Sequence, residues 1–256
     1  MELRFIKTGK NILPPQKPGD PYRHVSRIYS RLMDFVDYNL WAEYIYSITV
    51  NSLPQNPFVL EIGAGNCSLA RHLSKFYKNY FASDISLQML QVKKSAIRKI
   101  CCDMKSLPFT KKFDLIFSSF DTVNYILTKR DLLKHFNEVS ALLSTDGLFT
   151  FDAALENNSY KHQKTAAKSG KYNKYRYSRE SVFNERLKIH KNIFTIIYPE
   201  GKLFKETHTQ KIFSFDTFFE LAEKSGLYVV NCYKAFSYSK GKSTSDRVQF
   251  IMKRKV

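Results

Sequence analysis

Residues 59–68 read Val-Leu-Glu-Ile-Gly-Ala-Gly-Asn-Cys-Ser, and this stretch decides the fold. A short apolar run ends in a Gly-Ala-Gly turn. Glycines in such a turn permit positive φ angles and let a ligand approach the backbone closely. The pattern therefore predicts a buried strand, a ligand-binding turn and a helix that follows it.

Strands and helices alternate on the C-terminal side of this turn, and a helical stretch precedes it. Such an alternation predicts an α/β fold, with a Rossmann-like, seven-stranded, mostly parallel sheet and helices on both faces. Residues 144–147 are expected to form a turn. The predicted helices are residues 22–52, 68–77, 86–95 and 129–143, and the predicted strands are residues 58–62, 80–82, 97–102, 113–117 and 148–151.

The alternation breaks after residue 154. Residues 155–181 are polar, basic and rich in tyrosine, whereas residues 182–213 are typical of antiparallel strands with a turn at Pro199-Glu200-Gly201. A helix at 215–225, capped by Gly226, and strands at 227–233 and 247–252 complete the sheet, the last one antiparallel. The predicted segments are an arm with covering helices (1–55), the core (56–154), a β insertion that serves as a lid (155–213) and the C-terminal helix and strand pair (214–256).

Acidic residues occur at the ends of three predicted strands. Glu61 lies two residues before Gly63, Asp84 follows the second strand, and Asp103 follows the third and precedes Met104. A carboxylate at Asp84 is placed to accept the ribose hydroxyls of an adenosine ligand. Asp103 is placed to accept an adenine amino group while Met104 packs on the ring, and Glu61 to face a ligand cation or to order the turn. One such acid alone would indicate a loop or cap residue, but three together favour an adenosine-binding site.

These motifs carry a family resemblance. Glu61-x-Gly63-x-Gly65, Asp84, Cys102-Asp103-Met104 and Phe113–Ile116 resemble the successive motifs of class I S-adenosylmethionine-dependent methyltransferases. Residues 28–33, 36–41 and 120–125 resemble a bacterial small-molecule branch that includes sugar N,N-dimethyltransferases and glycine N-methyltransferase, although Ser30 stands where that branch usually has Asp. The resemblance implies S-adenosyl-L-methionine as cofactor, with the N-terminal helix covering it. The implied cofactor contacts are Tyr22, Tyr29, Glu61, Gly63, Gly65, Asp84, Ile85, Asp103, Met104 and Ser119.

Three residues are candidates for the catalytic side. Asp121 and Tyr125 follow the fourth strand, where Asp121 is placed to accept a proton or orient an amine and Tyr125 to form an aromatic wall. Glu206-x-His208-x-Gln210 has the period of a strand, which puts the three side chains on one face, and His208 is the candidate proton acceptor. Plainer interpretations stay open: Asp121 as a helix cap, His208 on a polar outer strand face, and Arg247 as a solvated residue rather than an anion contact.

The chain carries a formal charge of +18, which favours phosphate-bearing partners. Residues 160–191 hold ten Lys or Arg against two acids, interleaved with four tyrosines. That composition suits a single-stranded nucleic acid, a phosphorylated small molecule or a solvated, mobile loop. We expect a methyltransferase that acts on an N or O nucleophile of a small molecule. An RNA methyltransferase that uses a basic lid and a non-catalytic RNA- or protein-binding module remain alternatives, and the oligomeric state is not indicated.

Other chemistries lack their motifs. The six histidines show no metal-ligand spacing, and neither a P-loop nor a G-x-S-x-G elbow is present. Ser68 replaces the third glycine of G-x-G-x-x-G, which argues against an NAD-linked oxidoreductase. No apolar stretch of about 18 residues predicts a membrane span. The four cysteines form no disulfide framework, so a reduced, cytoplasmic protein is expected.

Overall fold

The computed structural model of the chain describes residues 21–164 and 167–255, so most of the predicted N-terminal arm, residues 1–20, lies outside the described residues. The strands are β1 (Phe58–Ile62), β2 (Asn79–Asp84), β3 (Arg98–Cys101), β4 (Phe113–Ser118), β5 (Leu143–Ala154), β6 (Ala167–Tyr172), β7 (Tyr175–Asn184), β8 (Ile189–Ile197), β9 (Leu203–Lys211), β10 (Leu227–Lys234) and β11 (Arg247–Arg254).

Seven of these strands form the main sheet, in the order β10-β11-β5-β4-β1-β2-β3. Neighbouring strands are parallel from β5 to β3, whereas β11 runs antiparallel to both β5 and β10. The predicted Rossmann-like sheet with its antiparallel last strand is confirmed. Strands β1 to β3 are added toward one edge of the sheet, and β4 and β5 toward the other edge. The strand order therefore reverses between the parallel neighbours β1 and β4, and open α/β sheets bind ligands at such a point.

Helices cover both faces of the main sheet, as predicted. Apolar residues of α5 and α7 pack on one face, and apolar residues of α2 and α3 pack on the other. No helix in the described ranges is long and apolar enough to cross a membrane. The helices are α1 (Tyr29–Leu32), α2 (Tyr38–Thr49), α3 (Ala70–Leu73), α4 (Leu87–Gln91), α5 (Lys129–Leu142), α6 (Glu156–Lys164) and α7 (Phe215–Lys224).

The predicted helices near the N-terminus are too long. Residues 22–52 divide into short pieces because Asp37 starts a new helix, its side chain accepting the N–H groups of Asn39 and Leu40 at 3.0 Å each. The helix predicted at 68–77 begins only at Ala70, since Cys67 has a φ of 58°, a turn conformation that is incompatible with a helix. The helix predicted at 86–95 is limited to α4.

Two segments differ from their predicted turn or from the alternative of a solvated loop. Residues 144–147 belong to β5 rather than to a turn, and Ser144 Oγ donates a hydrogen bond to Asp114 Oδ1 (2.9 Å), which ties this part of β5 to β4. The segment 155–181 is not a solvated loop, because it forms α6, β6 and most of β7. Strand β7 is paired on both sides, with β6 and with β8.

Strands β6 to β9 form a second sheet, the lid sheet, in which every neighbouring pair is antiparallel. Its turn at residues 199–201 is confirmed, with Gly201 N–H donating to the carbonyl of Tyr198 at 3.0 Å. Residues 21–36, the N-terminal segment, pack against the lid sheet: Val25 and Ile28 are buried against Phe194 and Ile196. The lid sheet and the N-terminal segment thus share one apolar cluster.

Candidate active site

The glycine turn after β1 is tightly built. Gly63 and Gly65 have φ angles of 73° and 54°, the left-handed region that glycine adopts without strain. The N–H of Ala64 donates to the carbonyl of Ser83 at 2.9 Å, which joins the turn to β2. A Cβ at Gly63 would lie 2.3 Å from Thr122 Cγ2, so no larger residue fits there.

Asp84 lies at the end of β2 beside this turn and lines a cavity. Its two carboxylate oxygens each accept one backbone N–H, Oδ2 from Gly65 and Oδ1 from Ser86, both at 2.7 Å. Burial raises the pKa of Asp84 to about 6, although these two hydrogen bonds oppose the rise. A carboxylate has about four lone-pair positions, so each oxygen retains capacity to accept a further hydrogen bond.

The end of β3 contributes to the same cavity. Asp103 Oδ1 accepts the N–H of Lys105 at 2.9 Å, and Met104 and Ile85 line the cavity beside it. The carbonyl of Met104 accepts a hydrogen bond from His135 Nδ1 at 2.9 Å. Burial lowers the pKa of His135 to about 4, so this imidazole is neutral and serves to fix the loop.

Two sequence-predicted residues do not line the cavity. Glu61 is buried, and its Oε2 accepts a hydrogen bond from Tyr80 Oη at 2.7 Å, inside the sheet. Burial raises the pKa of Glu61 to about 7, and the hydrogen bond from Tyr80 opposes this. Ser119 is also buried, and its carbonyl accepts a hydrogen bond from Thr122 Oγ1 at 2.7 Å. Both residues therefore lie behind the residues that line the cavity.

Three tyrosines meet at the junction of the N-terminal segment and the core. The hydroxyl oxygens of Tyr22 and Tyr125 lie 2.6 Å apart, and the rings of Tyr22 and Tyr29 meet edge to face at 5.9 Å. Tyr29 Oη would lie 3.9 Å from a Cβ at Gly65, which puts this ring over the glycine turn. The N-terminal segment therefore covers the turn.

Asp121 is held in a network of charges. Its Oδ1 lies 3.0 Å from Arg247 Nη2, and its Oδ2 accepts a hydrogen bond from Gln210 Nε2 at 2.8 Å. Arg247 also pairs with the fully buried Asp152, whose Oδ2 accepts the backbone N–H of Asp121 at 2.9 Å. The Asp121 side chain therefore does not cap the short helix that follows, because it makes no capping hydrogen bond. Arg247 is not a solvated residue either, because it is paired with two carboxylates.

The inner face of β9 carries His208. Residues 206, 208 and 210 share this inner face, so it is not the polar outer face of the plainer interpretation. The His208 ring lies 4.2 Å from that of Tyr22 and 6.1 Å from that of Tyr125. His208 Nε2 is 3.0 Å from Glu206 Oε1, at an angle outside hydrogen-bond geometry. Burial alone would raise the pKa of Glu206, but the neighbouring His208 imidazole and the hydrogen bonds from the N–H groups of His24 and Val25 hold it below its usual value.

One cavity of about 670 Å³ joins these groups. Its volume lies in the range of about 300–1,000 Å³ that is typical of small-molecule sites. The glycine turn and the ends of β2 and β3 form one part, and the inner face of the lid sheet forms the other. The predicted site residues that line it are Tyr22, Tyr29, Gly63, Gly65, Asp84, Ile85, Asp103, Met104, Asp121, Tyr125 and His208.

Known proteins resemble the chain over nearly its whole length. A model of the methyltransferase domain matches residues 59–147. The putative methyltransferase YqeM of Bacillus subtilis is 25% identical over 242 residues, which cover 90% of this chain and 95% of that protein. An S-adenosylmethionine-dependent methyltransferase from Clostridium acetobutylicum is 26% identical, with a TM-score of 0.74, over 92% of this chain and 99% of that one. The chain is an S-adenosylmethionine-dependent methyltransferase.

The fold of this methyltransferase is shared more widely. The sugar N-methyltransferase KedS8 from Streptoalloteichus has a TM-score of 0.72 at 14% identity, over 99% of this chain and 100% of that one. At that identity the likeness concerns the fold, including an architecture that extends over the lid and the C-terminal strands.

Several residues of the methyltransferase site have no clear signal in the sequence. The rings of Trp41 and Phe236 lie 4.4 Å apart and line the cavity mouth, yet Phe236 lies in a loop with no periodic pattern. In the sequence Asp152 has no distinguishing feature, and only its pairing with Arg247 in the structure shows that it belongs to the site. Arg179 was part of a basic segment, and only the pairing of β7 with β8 places it on the inner face of the lid sheet.

Proposed function

We propose that this methyltransferase transfers a methyl group to a nitrogen or oxygen nucleophile of a small molecule bound under the lid sheet. The observation that carries the proposal is the single cavity of about 670 Å³ lined by both the glycine turn and the inner face of the lid sheet. A donor at the turn and an acceptor under the lid would meet inside it, shielded from water.

The residues at the strand ends fit S-adenosylmethionine. Asp84 would accept hydrogen bonds from the ribose hydroxyls, because both of its oxygens face backbone N–H groups and retain lone pairs. Asp103 would accept the adenine amino group. Ile85, half-exposed although it is apolar, and Met104 would contact the two faces of the ring. When bound, the cofactor supplies a methyl group that is already activated by its sulfonium charge.

The other predicted cofactor residues fall into two pairs. Tyr22 and Tyr29 line the cavity and would close over the cofactor from the N-terminal segment, whereas Glu61 and Ser119 lie behind the cavity wall. Glu61 would hold the base of the glycine turn through Tyr80, and Ser119 would support Thr122, which packs against Gly63.

On the acceptor side, Asp121 would orient the nucleophile. Its carboxylate is fixed by Arg247 and Gln210, so it would accept an N–H or O–H of the acceptor in one defined direction. His208, beside Glu206, would accept the proton released when the nucleophile attacks. Tyr125, in contact with both Tyr22 and His208, would wall off the methyl-transfer region.

An RNA acceptor has less support. Lys171 and Arg176, on the outer face of the lid sheet, and Lys174, in the turn between β6 and β7, are exposed and do not line the cavity. An RNA held on that outer face would be separated from the glycine turn by the lid sheet itself.

The test is formation of S-adenosylhomocysteine with a panel of amines, amino sugars, hydroxy compounds and total RNA, each at low and high salt. We expect turnover with a small molecule, at a rate that salt changes little. Turnover with RNA alone, falling steeply as salt rises, would replace the proposal with the RNA enzyme. Absence of turnover with every acceptor, combined with RNA binding, would favour a non-catalytic module.

Two variants test the assigned roles. Asp121→Asn should lower kcat by about 100-fold, because the acceptor's hydrogen bond would be misplaced. His208→Gln should lower kcat by about 100-fold or more, because glutamine cannot accept the proton that His208 is proposed to take. Asp146→Asn is the matched control, because Asp146 is exposed on β5 and does not line the cavity. Wild-type turnover in His208→Gln would remove His208 from the mechanism.

A further inference from the structure

Arg179 lies on the inner face of the lid sheet. On β7, alternate side chains point in opposite directions, so Arg179 shares its face with the buried residues Ser181 and Phe183. The side chain of Arg179 lines the active-site cavity, whereas Arg176 on the opposite face is exposed.

The charge of Arg179 has no carboxylate partner in the described part of the chain. Its Nε is buried and has no hydrogen-bond partner there. The two other cations that line the cavity do have partners: Arg247 lies between Asp121 and Asp152, and Lys105 lies 3.7 Å from Asp103. Burial lowers the pKa of Arg179, and no acid offsets that effect. A half-buried guanidinium without a counter-ion is costly unless a ligand compensates for it.

Uncharged polar side chains line the same cavity as Arg179. Ser159 Oγ is buried and has no hydrogen-bond partner among the described residues, and Asn192 lies on β8 in register with Ser181, diagonal to Arg179. His190 Nε2 lies 2.7 Å from Ser181 Oγ. Ser159, Asn192 and His190 line the cavity together with Arg179, so this part of the cavity presents a cation without a counter-ion and uncharged polar groups.

This group lies toward the acceptor side of the cavity. Burial, together with His162 and Arg179, lowers the pKa of His190 to about 4, while Asp121 opposes this. His190 is paired with Gln210 of β9, and Gln210 Nε2 donates a hydrogen bond to Asp121 Oδ2 at 2.8 Å. The polar groups on the Arg179 face of the lid sheet therefore lead to Asp121, the acceptor-side carboxylate.

We propose that Arg179 binds an anionic oxygen group, a carboxylate or a phosphate, on the methyl acceptor. The inference rests on the proposed function, because it assumes an acceptor under the lid sheet. A guanidinium matches either group through two parallel N–H···O hydrogen bonds, and Ser159 and Asn192 add neutral donors. Arg179 thereby selects acidic acceptors and fixes their far end while Asp121 orients the nucleophile.

The experiment measures binding of inorganic phosphate and, separately, of sodium acetate to the full chain saturated with S-adenosylhomocysteine, by calorimetric titration. The variant Arg179→Met removes the charge and keeps much of the side-chain length. Arg176→Met is the matched control, since Arg176 lies on the same strand and faces solvent. Titration of S-adenosylhomocysteine into each variant shows that it is folded, and Arg179→Gln serves if Arg179→Met is not.

We expect saturable binding of one of the two anions to the wild type and to Arg176→Met, weakened at least tenfold in Arg179→Met. Preference for phosphate over acetate would identify the group as a phosphate, and the reverse preference as a carboxylate. No saturable binding to the wild type, or equal binding to wild type and Arg179→Met, would overturn the assignment. Anion binding that depends on Arg179 without methyl transfer to any small molecule would instead refute the proposed function and leave the anion site standing.

Discussion

At the scale of single residues, the glycine turn is the most constrained part of the site. Gly63 combines a φ of 73° with a Cβ position only 2.3 Å from Thr122 Cγ2. Thr122 is β-branched and cannot swing away easily, so Gly63→Ala adds overpacking to backbone strain. We expect a loss of about 2–5 kcal/mol in the free energy of unfolding and loss of cofactor binding, measured by denaturant titration and calorimetry.

Gly201 provides the control for this substitution. Its φ of 84° is similarly positive, but nothing lies within 4 Å of the Cβ position. Gly201→Ala should therefore cost only the backbone strain, about 1 kcal/mol. Equal losses in the two variants would mean that the contact with Thr122 is unimportant.

The buried carboxylate of Glu61 gives the protein a pH-dependent stability. Because burial raises its pKa to about 7, the folded chain retains a proton between about pH 4.5 and 7 that the unfolded chain has released. The free energy of unfolding of the ligand-free protein should therefore fall as pH rises through that window. Glu61→Gln should remove up to about 3 kcal/mol of this fall, measured by urea unfolding from pH 5 to 8. Identical pH profiles for the variant and the wild type would show that Glu61 has an ordinary pKa.

Single residues differ in how well the sequence identifies them. Asp84 and Asp103 could be found because parallel strands place their carboxyl ends at one edge, next to the glycine turn. The network of Asp121, Asp152 and Arg247 could not, because its members are far apart in the chain and meet only when β11 pairs with β5. Long-range pairs of this kind have no local pattern.

At the scale of elements, one side chain of the lid sheet hydrogen-bonds two backbone groups of the N-terminal segment. Glu206 Oε2 accepts the backbone N–H groups of His24 and Val25 at 2.9 and 3.1 Å. Charged hydrogen bonds contribute about 1.5–3 kcal/mol each, so Glu206→Ala should speed amide exchange at His24 and Val25 by at least about tenfold. Lys205→Ala, on the exposed face of the same strand, should leave both rates unchanged.

Hydrogen exchange followed by mass spectrometry or NMR measures these rates. Unchanged exchange in Glu206→Ala would mean that apolar packing of Val25 and Ile28, rather than Glu206, positions the N-terminal segment.

Elements of the core follow from the sequence more closely than those of the lid. The alternation of apolar strands and amphipathic helices predicts the parallel sheet, since both faces of its strands are buried. Strand β7 lacks a clear alternation of apolar and polar residues, because its inner face lines a polar cavity and carries Tyr, Arg and Ser side chains. The period of a strand is therefore hard to see in its sequence. Helix ends were missed where a cap residue, Asp37, interrupts an otherwise continuous helical pattern.

At the scale of the whole molecule, the two sheets have separate tasks. The main sheet presents the glycine turn and the acids of β2 and β3 at one edge, and the lid sheet closes over that edge together with the N-terminal segment. Among the described residues, the positive charge lies largely on exposed lysines and arginines, which explains why composition alone left a nucleic acid, a phosphorylated small molecule and a solvated loop open. Only the position of β7 shows that Arg179 faces the cavity, whereas Arg176 on the same strand is exposed.

The central claim is that the edge formed by β1, β2 and β3 binds S-adenosylmethionine through Asp84. The direct measurement is calorimetric titration of wild type, Asp84→Asn and Asp131→Asn with S-adenosylmethionine, S-adenosylhomocysteine and NAD. Asp131, at the rim of the cavity, is the control. The account predicts binding of the first two ligands and not of NAD, with affinity reduced about tenfold or more in Asp84→Asn alone. Binding of NAD in their place, or equal affinity in Asp84→Asn and wild type, would contradict it.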